Sequence, residues 1–380
     1  MDVHESVSER YTRAAREPEA GLCCPSDYDP RLLEAVPAEI LERDYGCGDP
    51  TRHVRPGDTV LDLGCGAGKV CYIAAQLVGP GGRVIGVDMN DEMLAIARRH
   101  QAAFAERIGG DRLRFVKGRI QDLALDLEAL ERRLAERPVR TADDLARLED
   151  WQARQRREAP LVPDASVDLV VSNCVLNLVR DEDKERLVRE IFRVLRPGGR
   201  VAISDIVSDE PVPAHLKADP ELWSGCISGA FQEEAFLEAF ERAGFVAVRY
   251  ERWQAEPWRV VEGIEFRSVT LTAMKPLGGP CLDVGHAVVY RGPYKEVRDE
   301  EGHVYPRGAR IAVCDRTFRT LTDPEGPYGG DFVGIAPAVE REPVPWCAPP
   351  GTRRPPAETK GGAHTEAGAG GGCDDGACCC

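Results

Sequence analysis

The stretch TVLDLGCGAGKV, residues 59–70, constrains this chain more than any other. An apolar run carries Asp62, breaks at Gly64, Gly66 and Gly68, and then resumes with helical character, which reads as strand, tight turn and helix. Glycines without Cβ atoms let such a turn bring backbone amides close to a ligand. GRVIGVD, residues 82–88, reads as a second strand ending in an acid, and MNDEMLAIARRHQAAFAERI continues as a helix with Asp91 and Glu92 in its first turn. RLRFVKG and SVDLVVSN are further strand candidates. DEDKERLVREIFRVLRPGG, residues 181–199, reads as a helix stopped by Pro197 and two glycines before the strand RVAISDI. Strands alternating with helices predict an α/β fold, a doubly wound parallel sheet with ligands beyond the carboxyl ends of its strands.

The rest of the chain divides by texture. Residues 1–54 form a segment bearing Cys23, Cys24 and Cys47, and the α/β domain takes 55–275. Within it, 126–158 repeats leucines at helical spacing on either side of Pro138 and predicts a charged helical hairpin on the surface. HAVVYRG, GARIAVC and DFVGIAP mark a smaller β-rich domain over 276–341, and 342–380 turns to Pro, Gly and Cys, a composition that predicts a flexible tail. Lys and Arg total 49 against 64 Asp and Glu, a formal charge of -15, which disfavours nucleic acid and anionic membrane as partners and favours a small ligand. With neither an apolar leader nor a spanning segment in sight, the expected location is cytoplasmic.

D-L-G-x-G-x-G with Asp88 twenty residues beyond Gly68 places a carboxylate where it can accept both hydroxyls of a ribose. The glycine spacing argues for S-adenosylmethionine over a dinucleotide, whose fingerprint has two residues before its third glycine. With VIGVD and VLRPGGRVAISD, the loop resembles the class I S-adenosylmethionine-dependent methyltransferases, a Rossmann-like family, over 55–275. That resemblance implies that Asp62 and the glycine loop hold the methionine portion and Asp88 the ribose. Met89 would pack on the adenine, with Ile120 and Gln121 flanking it and Asn173 completing the cofactor site.

Fourteen cysteines in a chain expected to stay reduced call for a metal-binding or catalytic explanation, yet no C-x2-C pair points to structural zinc. Cysteine, not histidine, stands after the fourth strand in SNCVLNL, and YGCG and LWSGCISGA each carry one more. Sulfur near a methyl donor suits a soft, thiophilic acceptor. These three segments resemble those of the arsenite S-adenosylmethionine methyltransferases. The resemblance implies that Cys174 and Cys226 bind trivalent arsenic and Cys47 joins as a third thiolate. It further implies that Cys23 or Cys24 pairs with Cys47 in a disulfide during turnover, which thioredoxin or glutathione reopens. Arsenite and methylarsenite would be the substrates, and S-adenosylhomocysteine the product. An organic acceptor of quinone or sterol type with incidental cysteines, or a non-catalytic thiol-rich sequestering protein, is the alternative. Cys65, Cys71, Cys281 and Cys314 are read as structural. Tyr45 and Trp223 are read as core aromatics or walls of the arsenic site, and Asn177 as a turn cap or an orienting residue.

Overall fold

A computed structural model of the 380-residue chain describes residues 3–17, 28–43, 45–346 and 349–360. It divides into two compact units, Met1–Pro276 and Leu277–Cys380. In the first, β1 (Thr59–Leu63), β2 (Arg83–Asp88), β3 (Leu113–Lys117), β4 (Val167–Asn173) and β5 (Leu195–Ser208) lie in the order β3-β2-β1-β4-β5 with parallel pairing. The sheet continues through β9 (Ile264–Met274), antiparallel to β5, and β7 (Val246–Trp253), antiparallel to β9; the short β6 (Phe231–Gln232) and β8 (Arg259–Val261) pair with β5 and β9. Every residue of β4 is buried, as expected of a central parallel strand covered on both faces.

The order reverses between β1 and β4, so the crevice of this doubly wound sheet opens there. The carboxyl ends of β1 to β5 carry Asp62, Asp88, Lys117, Asn173 and Asp205, all but half-buried Asp88 buried. Helix Lys69–Leu77 starts after Gly68, and Asn90 caps helix Asp91–Arg99 by accepting from the amide of Met93 at 3.0 Å. The helix expected over 181–199 spans only Asp181–Val194: Leu195 already has ψ 136, and the residue before Pro197 is disfavoured in α geometry, so 195–199 joins β5. Helices Leu127–Glu136 and Ala142–Glu158 form the expected hairpin, without a single buried residue. Among the described residues no helix is long and apolar enough to cross a membrane.

In the second unit β11 (Ala287–Tyr290) lies between β14 (Arg310–Ala312) and β15 (Phe332–Ile335), all antiparallel, and β12 (Glu296–Arg298) pairs with β13 (Val304–Pro306). Val288, Tyr290, Tyr305, Ile311, Val313 and Leu321 belong to its core. The flexible tail expected from 342 needs correction. β16 (Val344–Pro345) pairs with β10 (Leu282–Asp283), and Arg354, 5% exposed, bonds Asp283 at 2.7 Å, Glu358 at 3.0 Å and the carbonyl of His286 at 3.0 Å. Composition marks 343–360 as unable to form its own core, but a strap needs only a neighbour's. Residues 361–380, with the terminal cysteines, lie outside the described residues.

Candidate functional site

A cleft enclosing about 1070 Å3 of empty space, continuous with solvent, runs across the carboxyl ends of β1, β2 and β4. Asp62, Gly64, Gly66, Gly68, Asp88, Met89, Ile120, Gln121, Asn173 and Cys174 all border it.

The three glycines do different things. Each has positive φ, at 68°, 51° and 97°. A Cβ on Gly64 would lie 2.3 Å from Val175, and one on Gly68 would crowd Phe115 and Ala97 at 3.1 to 3.3 Å, so these two are needed for packing. A Cβ on Gly66 would meet nothing within 4 Å, and its amide donates to Asp88 at 2.9 Å. Gly66 therefore leaves open space where a ligand can approach the backbone. Asp88 also accepts the amide of Asn90 at 2.8 Å; burial pushes its carboxyl above the usual range, opposed by these amide donors. Cys71 donates to Asp62 at 3.2 Å, and burial pushes Cys65 up to about 11, keeping both thiols protonated behind the loop. An open amide-lined turn with a carboxylate beside it fits the methyl donor that the glycine spacing predicts.

Cys174 borders this cleft at the β4 end, and Cys47 and Cys226 share a buried cluster with it. Cys47 and Cys174, separated by 127 residues, are joined by a disulfide with Cα atoms 5.9 Å apart. Asn173 makes the approach possible: its Oδ1 accepts the amides of Cys47 at 2.8 Å and Gly48 at 3.2 Å, while its Nδ2 donates to the carbonyl of Gly48 and the hydroxyl of Tyr28, both at 2.9 Å. A Cβ on Gly46 would strike Asn173 at 2.4 Å. Expected as a cofactor ligand, Asn173 borders the cleft and clamps the Cys47 segment. Cys226 is buried and outside this disulfide, and its Sγ donates to the carbonyl of Cys174 at 3.1 Å. Cys174 and Cys226 have φ of 58° and 61°. Few non-glycine residues adopt this left-handed conformation, and where they do it often marks a functional site. The structure therefore brings Cys47, Cys174 and Cys226 together, with the first two oxidised; Cys23 and Cys24, the expected disulfide partners of Cys47, lie outside the described residues.

Two neighbours escape a reading of the sequence. A carboxylate oxygen of Asp205 and the sulfurs of Cys47 and Cys174 lie within 4.8 Å of one another. Asp205 accepts from the amides of Leu176 and Ile206 and from Asn177 Nδ2, at 2.8 to 2.9 Å, and burial pushes its pKa up to about 6. Asn177 also donates to the carbonyls of Ile206 and Cys226, so it orients the cluster. Tyr11, on the N-terminal helix Val3–Arg16, borders the cleft and hydrogen-bonds Cys226, and burial raises its pKa. Tyr45 borders the cleft edge-on to Tyr11, whereas Trp223 packs in the core with its indole nitrogen 3.4 Å from the carbonyl of Leu178. Asp205 lies within β5 as the last residue of VLRPGGRVAISD, a segment read only as a strand of the methyltransferase fold, and Tyr11 sits in a polar helix, so neither is marked as a site residue.

Residues 55–132 and 148–244 match a family described as a methyltransferase domain, the gap falling within the inserted hairpin, and 278–364 match a domain of unknown function. The chain is 33% identical over 361 residues to an arsenite methyltransferase of Aquipseudomonas alcaligenes, covering 87% of this chain and 92% of that one. It is 40% identical over 223 residues to an arsenite methyltransferase of Halobacterium salinarum, covering 58% and 46%. Among solved structures, an arsenic(III) S-adenosylmethionine methyltransferase from Chlamydomonas reinhardtii is similar at a TM-score of 0.56 and 27% identity, covering 84% of this chain and 99% of that one.

Proposed function

Because this chain belongs to the arsenite methyltransferases, which transfer methyl groups from S-adenosylmethionine to trivalent arsenic, we propose that Cys47, Cys174 and Cys226 are the sulfurs that hold the arsenic. The observation that carries this reading is that these three residues share one buried cluster, whose member Cys174 borders the cleft lined by the glycine loop and Asp88. With the disulfide reduced, three thiols and arsenite form three As–S bonds and release three waters. Soft thiolates suit a soft centre, and binding takes up the deprotonated sulfur.

Asp88 and the Gly66 turn would hold the ribose and methionine ends of the donor. S-adenosylmethionine supplies an electrophilic methyl on a sulfonium sulfur and leaves as S-adenosylhomocysteine. Pyramidal arsenic on three sulfurs keeps a lone pair directed away from them, and this pair forms the As–C bond without a general base. The protein contributes orientation and proximity. Bond formation takes arsenic from trivalent to pentavalent; closing two thiolates into a disulfide returns two electrons and restores the trivalent product. Thioredoxin or glutathione then reopens the disulfide by thiol exchange. The Cys47–Cys174 bond corresponds to an oxidised form of the cluster, and Cys23 or Cys24 would partner Cys47 when Cys174 retains arsenic.

Cys174→Ser and Cys226→Ser keep the side-chain size and remove the soft ligand. Each should lower methylation of both arsenite and methylarsenite by about a hundredfold or more, with calorimetric affinity for S-adenosylmethionine unchanged. Cys47→Ser should lose activity on arsenite and keep part of it on methylarsenite, which already carries one carbon and needs two sulfurs. Methylation by Cys174→Ser at the parent rate would sink the assignment.

A further inference from the structure

The second unit holds a thiol pair that the methylation chemistry does not use. Cys281 and Cys314 border one cleft of about 360 Å3 of empty space, together with His303, Ile311, Val313 and Trp346. They come from different elements, Cys281 beside β10 and Cys314 at the start of helix Asp315–Thr322. Cys314 is the N-cap of that helix: its sulfur accepts the amide of Thr317 at 3.4 Å and lies 3.2 Å from the Thr317 hydroxyl. Cys281 is half-buried, lines the same cleft as Cys314, and its carbonyl is pinned by the amide of Trp346 at 3.1 Å.

We propose that Cys281 and Cys314 form a second arsenical site, a dithiol that takes trivalent arsenic bearing one carbon substituent. The reaction is a condensation: two As–S bonds form, two As–OH bonds break, and the thiol protons leave with the hydroxides as two waters. No electrons move and no oxidant is needed. Two sulfurs satisfy an organoarsenical, whose third bond is already to carbon, while Ile311, Val313 and Trp346 offer an apolar wall to the organic group. Zinc is the poorer occupant, since a structural zinc site takes four ligands. Among the described residues, the potential cation-binding groups of three or more side chains do not include these two cysteines. The inference concerns binding alone, so it stands or falls apart from the methylation site.

The test counts methylarsenite bound to the reduced full-length chain by native mass spectrometry, without S-adenosylmethionine. Cys281→Ser, Cys314→Ser and the double variant should each carry one equivalent fewer than the parent, because either sulfur alone is insufficient. Resistance of residues 344–359 to limited proteolysis, equal in Cys281→Ser and the parent, reports that the second unit is folded. An unchanged count in both single variants, or two equivalents lost in the double, would overturn the dithiol. Displacement of the methylarsenite by one equivalent of zinc would overturn the arsenical assignment in favour of a metal ion.

Discussion

Cys174 and Cys226 share a left-handed backbone that a β4 run-out and a loop after a short helix do not require, and the sulfurs of Cys174 and Cys47 lie within 4.8 Å of an Asp205 carboxylate oxygen. Asp205 is the most strongly marked charge of the cluster. Its carboxyl rises from 3.8 to about 6 because burial penalises the anion more than its hydrogen-bond donors stabilise it. A raised acid contributes stability at pH below its unfolded value and loses that contribution as pH climbs through the folded one, here between about 4 and 6. The difference amounts to about 3 kcal/mol. The unfolding free energy of the parent, measured by urea denaturation against Asp205→Asn, should therefore fall relative to the variant from pH 4 to 6 and run parallel above pH 7. Parallel curves throughout would mean that Asp205 is ionised at ordinary values.

At the scale of elements, the N-terminal helix Val3–Arg16 connects the two ends of the cleft. Arg10 donates to Ser224 Oγ and the carbonyl of Glu221, both at 3.0 Å, beside the Cys226 loop. Asn90, two residues after Asp88, donates to Thr12 Oγ1 at 2.9 Å, and Tyr45 donates to the carbonyl of Ala14 at 3.0 Å. The helix is polar overall and its position rests on these bonds as much as on apolar contact. Arg10→Ala should speed hydrogen exchange of amides 6–16 and slow arsenite methylation by about tenfold. It should cost under about 1 kcal/mol of global stability, as expected for a part-exposed hydrogen bond. Unchanged exchange would show that packing alone holds the helix. The 126–158 hairpin contrasts with it: its helices bury no residue, and Arg156 fastens it to Asp122 at 2.9 Å.

At the scale of the molecule, each unit closes its own core, and the second does so with a strap poor in apolar residues. Arg354 is the pin of that strap, with its guanidinium shared among Asp283, Glu358 and the carbonyl of His286. Arg354 is buried but Asp283 keeps 18% and Glu358 44% of the side chain exposed, so losing the guanidinium costs about 1.5 to 3 kcal/mol, the range for a hydrogen bond to a charged group. Arg354→Ala should therefore open residues 344–359 to limited proteolysis, detected as new cleavage sites there, while the parent resists under the same conditions. Resistance equal to the parent's would place the hold elsewhere.

Much of this protein was legible as local pattern. The glycine loop, Asp88, β1 to β5 and the hairpin follow from hydrophobic period, turn chemistry and spacing, all properties of neighbours along the chain. YGCG, SNCVLNL and LWSGCISGA resembled one family, yet spacing alone left open whether their sulfurs meet. That meeting depends on Asn173 clamping a segment 126 residues earlier in the chain, and on β5 running on past the end of β4 so that Asp205 lies near two cysteines. Tyr11 and the Arg354 strap were illegible for the same reason. Side chains that act through partners far along the chain leave no periodicity, so the sequence by itself determined the parallel strands β1 to β5 and the cofactor turn, and only tertiary packing decided the antiparallel extension through β9 and β7 and which cysteines share a site.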